Sequence, residues 1–133
     1  MSFAYLKDPL FLACFGAYWI NRALESCDLG TPFFSCYLND IVCVPFWVPI
    51  MLWVNRKLRL RHDDGPPASV EILIPLLIWC AAFEVVIPIW FGSVVTTVAD
   101  PADVLCYCAG ALAATVFWRW YYRAAPAEAA ART

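Results

Sequence analysis

Three carboxylates stand where carboxylates are costly. Asp40, Glu84 and Asp103 lie inside or at the edge of apolar runs, whereas Glu25 and Asp28 read as ordinary solvated acids. Glu84 is the sharpest case. It sits about seven residues from the end of its run, roughly 10 Å deep at helical rise. An ionisable group at that depth in hydrocarbon is strongly disfavoured unless it is paired, protonated or facing water. Two readings stay open: a carboxylate lining a pocket, or one that braces the helices through an inter-helix hydrogen bond or an ion pair with Arg22. Helical spacing lets other groups converge on it. Asp100, Asp103, Tyr107 and Gly110 share one helical face, Asn39, Cys43 and Phe46 another, and Tyr18, Arg22 and Glu25 a third. The candidate ligand-binding set is therefore Asn39, Asp40, Glu84, Asp100 and Asp103, with Arg22 as counter-charge. Its excess of carboxylates points to a cationic or metal-bridged ligand.

Other chemistry finds little support. Ser26, Ser35 and Ser93 have no histidine near them, because the single histidine, His62, falls on the opposite side of the membrane in the topology the basic residues predict. No catalytic residue is assigned. The seven cysteines contain no CxxC and no Cys/His pairing, which argues against a zinc site. Carboxylate-only chemistry leaves a divalent cation open as the one cofactor to consider. Most of the cysteines fall in apolar runs and behave as small hydrophobes. Cys27 and Cys36 flank the first loop, and they would pair only in an oxidising compartment. A net charge of −2, with no basic patch interleaved with exposed aromatics, sets nucleic-acid binding aside.

The elements that position these groups follow from composition. Of 133 residues, 63% are hydrophobic and 15% charged, with a mean hydropathy of +0.67. Soluble domains average roughly 45–50% apolar and about 25% charged, so the bilayer is the natural solvent. Four apolar segments span about 9–24, 37–54, 70–91 and 101–122. Each approaches the roughly 20 residues that cross a bilayer, the first two being short. The first lacks a small-residue cleavage site and runs directly into Asn21 and Arg22, so it reads as retained. Lys7, Arg56, Lys57, Arg59, Arg61, Arg119, Arg123 and Arg132 fall on one side, leaving Arg22 opposite. By the basic-residue rule this predicts an all-α, four-helix membrane bundle in a cytoplasmic (inner) membrane, with both termini cytoplasmic. The outer half then carries Glu25, Asp28, Asp40, Glu84, Asp100 and Asp103 against Arg22, a net of −5. The basic 56–61 cluster reads as the topology determinant rather than a lipid-headgroup site. Pro66 and Pro67 mark a linker, and residues 124–133 a flexible tail. Pro45, Pro49, Pro75 and Pro88 loosen the second and third helices, and Gly110 with Ala114 forms a small-xxx-small packing pair.

The stretches LNDIVCVPF, FEVVIP and DPADVLCYCAGALAA occur in this order on successive segments. Over about residues 38–115 they resemble the VanZ-like pattern, through Asn39, Pro45 and Phe46, then Glu84, then Asp100, Asp103, Val104 and Gly110. Trp47, Pro88 and Tyr107 stand where that pattern usually has Gly, Gln and Asn, and its Arg before the first Asp is missing. Across nearly the whole chain, KDPLF, WINR, TPFF, YLND and DVLCYCAG are similar to short bacterial membrane proteins labelled magnesium citrate secondary transporters. The VanZ-like family is associated with low-level glycopeptide resistance. The resemblance thus implies a non-enzymatic, envelope-associated inner-membrane protein that binds a ligand, with the lipid bilayer as its partner. Two alternatives remain. One is secondary transport of a divalent cation or metal citrate, which four helices would manage only as a homo-oligomer. The other is a structural subunit of a larger membrane complex.

Overall fold

Proline and capping side chains decide where the helices begin. In a computed structural model, which describes residues 2–29, 37–91 and 101–130, every regular element is helical. A 3₁₀ turn at Tyr5–Lys7 leads into α1 (Pro9–Ser26). Pro9 opens α1 because its fixed φ suits the first turn and its missing N–H has no role there. Asp8 caps the helix, Oδ1 accepting from Phe11 N at 3.0 Å. α2 (Asn39–Lys57) is followed by the linker and by α3 (Ser69–Ala81), where Glu71 folds back to accept from Ala68 N at 2.8 Å. A π-helical turn at Ala82–Val86 joins α3 to α4 (Ile87–Phe91), so the three form one rod. α5 runs from Pro101 to Ala130. The four rods match the expected segments to within a few residues, apart from the last. α5 continues through the alanine-rich stretch expected to fray, since alanine has the lowest intrinsic cost in a helix.

Both α1 and α2 end in the same hydrogen-bond pattern. After α1, Leu29 N donates to Leu24 O and Asp28 N to Glu25 O. After α2, Leu60 N donates to Asn55 O and Arg59 N to Arg56 O. These are Schellman motifs, whose C′ residue is left-handed and usually glycine. Asp28 (φ 55°) and Arg59 (φ 59°) hold those places instead.

Ser69–Trp90 and Pro101–Arg123, of 22 and 23 residues, are long and apolar enough to cross a membrane. The exterior is strongly apolar: Ile89 is 72% exposed and Leu105 71%, while Asp8 and Asn21 are buried. A water-soluble fold has the opposite arrangement. α2 is the hub, packing on α1, α3 and α5. Val44, Val48 and Leu52 of α2 meet Tyr107, Ala111, Ala114 and Trp118 of α5 in one core. Gly110 permits the approach. A Cβ added there would lie 2.0 Å from the Ile41 carbonyl oxygen. Pro45 has no amide hydrogen to return to that carbonyl, so α5 packs on a backbone oxygen that lacks its usual helical donor.

The end of the molecule carrying most of the basic residues is more elaborate than a topology signal requires. Asp8 is fully buried. Besides capping α1 it accepts from Trp118 Nε1 at 3.0 Å and from the Tyr122 hydroxyl at 2.7 Å, tying the start of the chain to α5. Phe3 plugs the same end, its ring 5.3–5.8 Å from those of Tyr5, Trp118 and Tyr122. The 56–61 cluster departs from its expected role in one respect. Arg61 is 7% exposed and grips Glu71 with two nitrogens, at 2.8 and 3.3 Å, while also donating to Tyr5 Oη and Gly65 O. Arg56 donates to Asp64 Oδ2 at 2.7 Å. These arginines brace the linker because a guanidinium can fill several donor positions at once. The Tyr5 hydroxyl donates to Asp64, and this bond, followed by the Arg56 charge, holds the Asp64 carboxyl below its usual range. Burial, reinforced by the same bond, raises the Tyr5 hydroxyl.

Candidate functional site

Toward the other end of the helices the core gives way to a cavity of about 540 Å³, a volume typical of small-ligand sites. α2 supplies Asn39, Asp40, Cys43, Phe46 and Trp47, and α5 supplies Asp103 and Tyr107. Tyr18 comes from α1, and Phe83 and Glu84 from the π turn. Asn39, Cys43, Phe46 and Trp47 share a face by their spacing of three and four, as do Asp103 and Tyr107. Glu84 arrives by another route. The π turn carries one residue more than an α turn, with Ile87 N donating back to Ala82 O. Pro88 supplies no amide hydrogen for the Glu84 carbonyl, so the wider turn falls where an α-helical bond is already missing.

The polar groups are organised around Asp40. Tyr107, a buried residue, directs its hydroxyl to the Asp40 carboxylate, and Asp103 and Glu84 lie within electrostatic range of it. Asn39 is set by a neighbour the sequence did not single out. Asn21, 1% exposed, donates through Nδ2 to Asn39 Oδ1 and to Glu25 Oε1, both at 3.3 Å. Tyr18, Phe46, Trp47 and Phe83 add aromatic wall, and Phe11 and Trp79, which do not line the cavity, back it. Phe11 stacks on Phe46 at 5.3 Å, Phe46 meets Trp47 edge-on at 5.6 Å, and Trp47, Trp79 and Phe83 follow at 5.4 Å steps. Rings from α1, α2, α3 and the π turn thus form a continuous surface.

The structure gathers Asn39, Asp40, Glu84 and Asp103 on one lining. Arg22 is not among the lining residues. Its guanidinium is largely exposed and pairs with Glu25 at 2.9 Å, one turn away on the same helix. That partner needs no crossing of the bundle, so the counter-charge expected opposite Glu84 is used locally. Asp100 and Cys36 lie outside the described residues, and Cys27 is exposed. Among the described residues no three His, Cys, Asp or Glu side chains are grouped so as to hold a metal ion.

Asn21 was legible in principle, as an amide in an apolar run beside the more conspicuous Arg22. Asp8 gave only the signal of an Asp-Pro helix start. Compared with protein families, curated proteins and solved structures, the chain matches none of them, which leaves the cavity's own chemistry to indicate a function.

Proposed function

We propose that this chain is an integral membrane protein of the bacterial inner membrane, a four-helix bundle with both termini cytoplasmic. Its cavity would open toward the outer face and bind an organic cation of the ammonium type. The observation that carries this reading is the lining itself: three carboxylates and an asparagine set into a wall of Tyr18, Phe46, Trp47, Phe83 and Tyr107. Carboxylates alone would serve a metal ion as well. Aromatic faces add an attraction for a desolvated ammonium of about 0.5–2 kcal/mol per ring, and they offer a hydrated metal ion little. Asp40, Glu84 and Asp103 supply the counter-charge, and Asn39, held by Asn21, orients the ligand's polar end. The residues carrying the VanZ-like pattern support a shared site, since Asn39, Phe46, Glu84 and Asp103 all line the cavity.

Titration of the detergent-solubilised protein with benzyltrimethylammonium, read by tryptophan fluorescence, tests the site. Saturable binding is expected, lost in the double variant Glu84→Gln/Asp103→Asn, with magnesium chloride giving a weaker response. A stronger response to magnesium would overturn the ammonium assignment, and no response to either would overturn the cavity reading. Topology has its own assay. An impermeant maleimide should label exposed Cys27 in intact cells.

A further inference from the structure

The face of α5 turned away from the core is not a uniform apolar surface. Two shallow depressions run along it and share Val116 and Trp120. One is bounded by Ala109, Leu112, Ala113 and Phe117, and the other by Arg119 and Arg123. The small side chains at 109 and 113, four apart, hollow the helix surface between Leu112 and Trp120. Past the hollow, two guanidiniums four residues apart stand on one side of the helix. Arg119 is anchored, Nη2 donating to Ser69 Oγ at 2.8 Å at the first turn of α3. Among the described residues, neither arginine takes part in a salt bridge. The groove is therefore apolar along its length and doubly cationic at one end, the end where Arg56 and Arg61 also lie.

We infer that this groove holds a phospholipid with an anionic headgroup, its phosphate between Arg119 and Arg123 and an acyl chain along the hollow from Trp120 to Ala109. Charge decides the occupant. A second copy docked in parallel through this face would set four guanidiniums against one another, and no carboxylate is among the residues lining the two depressions. A soluble anion would satisfy the arginines and leave the apolar length empty. A lipid meets both requirements, and basic pockets beside membrane helices hold acidic headgroups by this combination. The inference is independent of the cavity.

The test uses native mass spectrometry of the delipidated protein in dodecyl maltoside, offered equal amounts of phosphatidylglycerol and phosphatidylcholine with identical chains. Each arginine near a headgroup is worth about fivefold in affinity, so a preference for phosphatidylglycerol of about twenty-five-fold is expected. Arg123→Gln should lower it by about fivefold, and Arg119→Gln/Arg123→Gln should abolish it. Among the described residues Arg123 has no hydrogen bond or salt bridge for Arg123→Gln to remove, so the variant's thermal unfolding in phosphatidylcholine should match the parent's. Glycerol phosphate at the same concentration should not displace the lipid. An undiminished preference in the double variant would overturn the inference. So would displacement by glycerol phosphate alone, or a lipid-free dimer that excludes phosphatidylglycerol.

Discussion

Gly110→Ala adds one methyl group, and the structure specifies what it would strike. The new Cβ would stand 2.0 Å from the Ile41 carbonyl oxygen and 2.9 Å from its carbonyl carbon. Contacts below 3.0 Å are essentially unknown for real Cβ atoms, so α2 and α5 must part by about 1 Å. Both obstacles are backbone, and no side chain can rotate aside. Overpacking of this kind costs about 1–3 kcal/mol, and a backbone obstacle argues for the upper half of that range. Alanine returns up to about 1 kcal/mol of helix propensity, which leaves a net loss of about 1–2 kcal/mol. Gly16→Ala is the control, because nothing lies within 4 Å of the Cβ it would gain. That variant gains propensity with no clash and should be neutral or slightly stabilised. Reversible unfolding in mixed detergent micelles would measure both. Tyr107 lies one turn from Gly110, so the displaced helix should also loosen its bond to Asp40, and benzyltrimethylammonium affinity should fall with stability. If Gly110→Ala proves as stable as Gly16→Ala, the close α2–α5 approach is wrong.

Other perturbations have equally definite outcomes. Asp8→Ala removes the α1 cap and strands Trp118 Nε1 and the Tyr122 hydroxyl; about 1 kcal/mol for the cap and about 1.5–3 for each charged bond sum to a loss on the order of 4–7 kcal/mol in the same unfolding assay. Asp8→Asn keeps a carbonyl acceptor and should lose about half as much. Arg59→Gly relieves a left-handed residue at a helix end and should stabilise by about 0.5–1 kcal/mol in thermal unfolding. Asp64 has a folded-state pKa below its unfolded value, so its contribution is full above the ordinary carboxylate value of about 4 and fades as pH falls toward the depressed one. Asp64→Asn should therefore be less stable than the parent at neutral pH, and the two curves should converge under acid. A gap that persists or widens on acidification would contradict that sign.

The sequence shows much of this architecture because hydropathy and helical period are local signals. Apolar runs locate the four rods, and Glu84 announces itself as the one carboxylate deep in such a run. Asn39 lines the cavity with Cys43 and Phe46, and Asp103 with Tyr107, because positions three or four apart share a helix face. The signal fails where a partner is distant or where one residue changes the angle. Asp8 looks like a surface cap until Trp118 and Tyr122, 110 and 114 residues later, fold over it. Arg61 looks like one charge among several, since its burial depends on Tyr5 and Glu71 from separate segments. Arg22 and Asn21 differ by one position, which on a helix is about 100°. Charge drew attention to Arg22, while the inward direction belongs to Asn21.

The Asp8 contacts also set an order in time. Asp8 is synthesised 110 residues ahead of Trp118 and 114 ahead of Tyr122. At about 5–20 residues per second, its partners follow some 5–20 s later. Through that interval the carboxylate has only its cap bond to Phe11 N and water, and Phe3 has no socket to fill. Helices α1 to α3 must therefore wait as an open assembly until α5 arrives. The final helix does more than add surface; its arrival closes the fold.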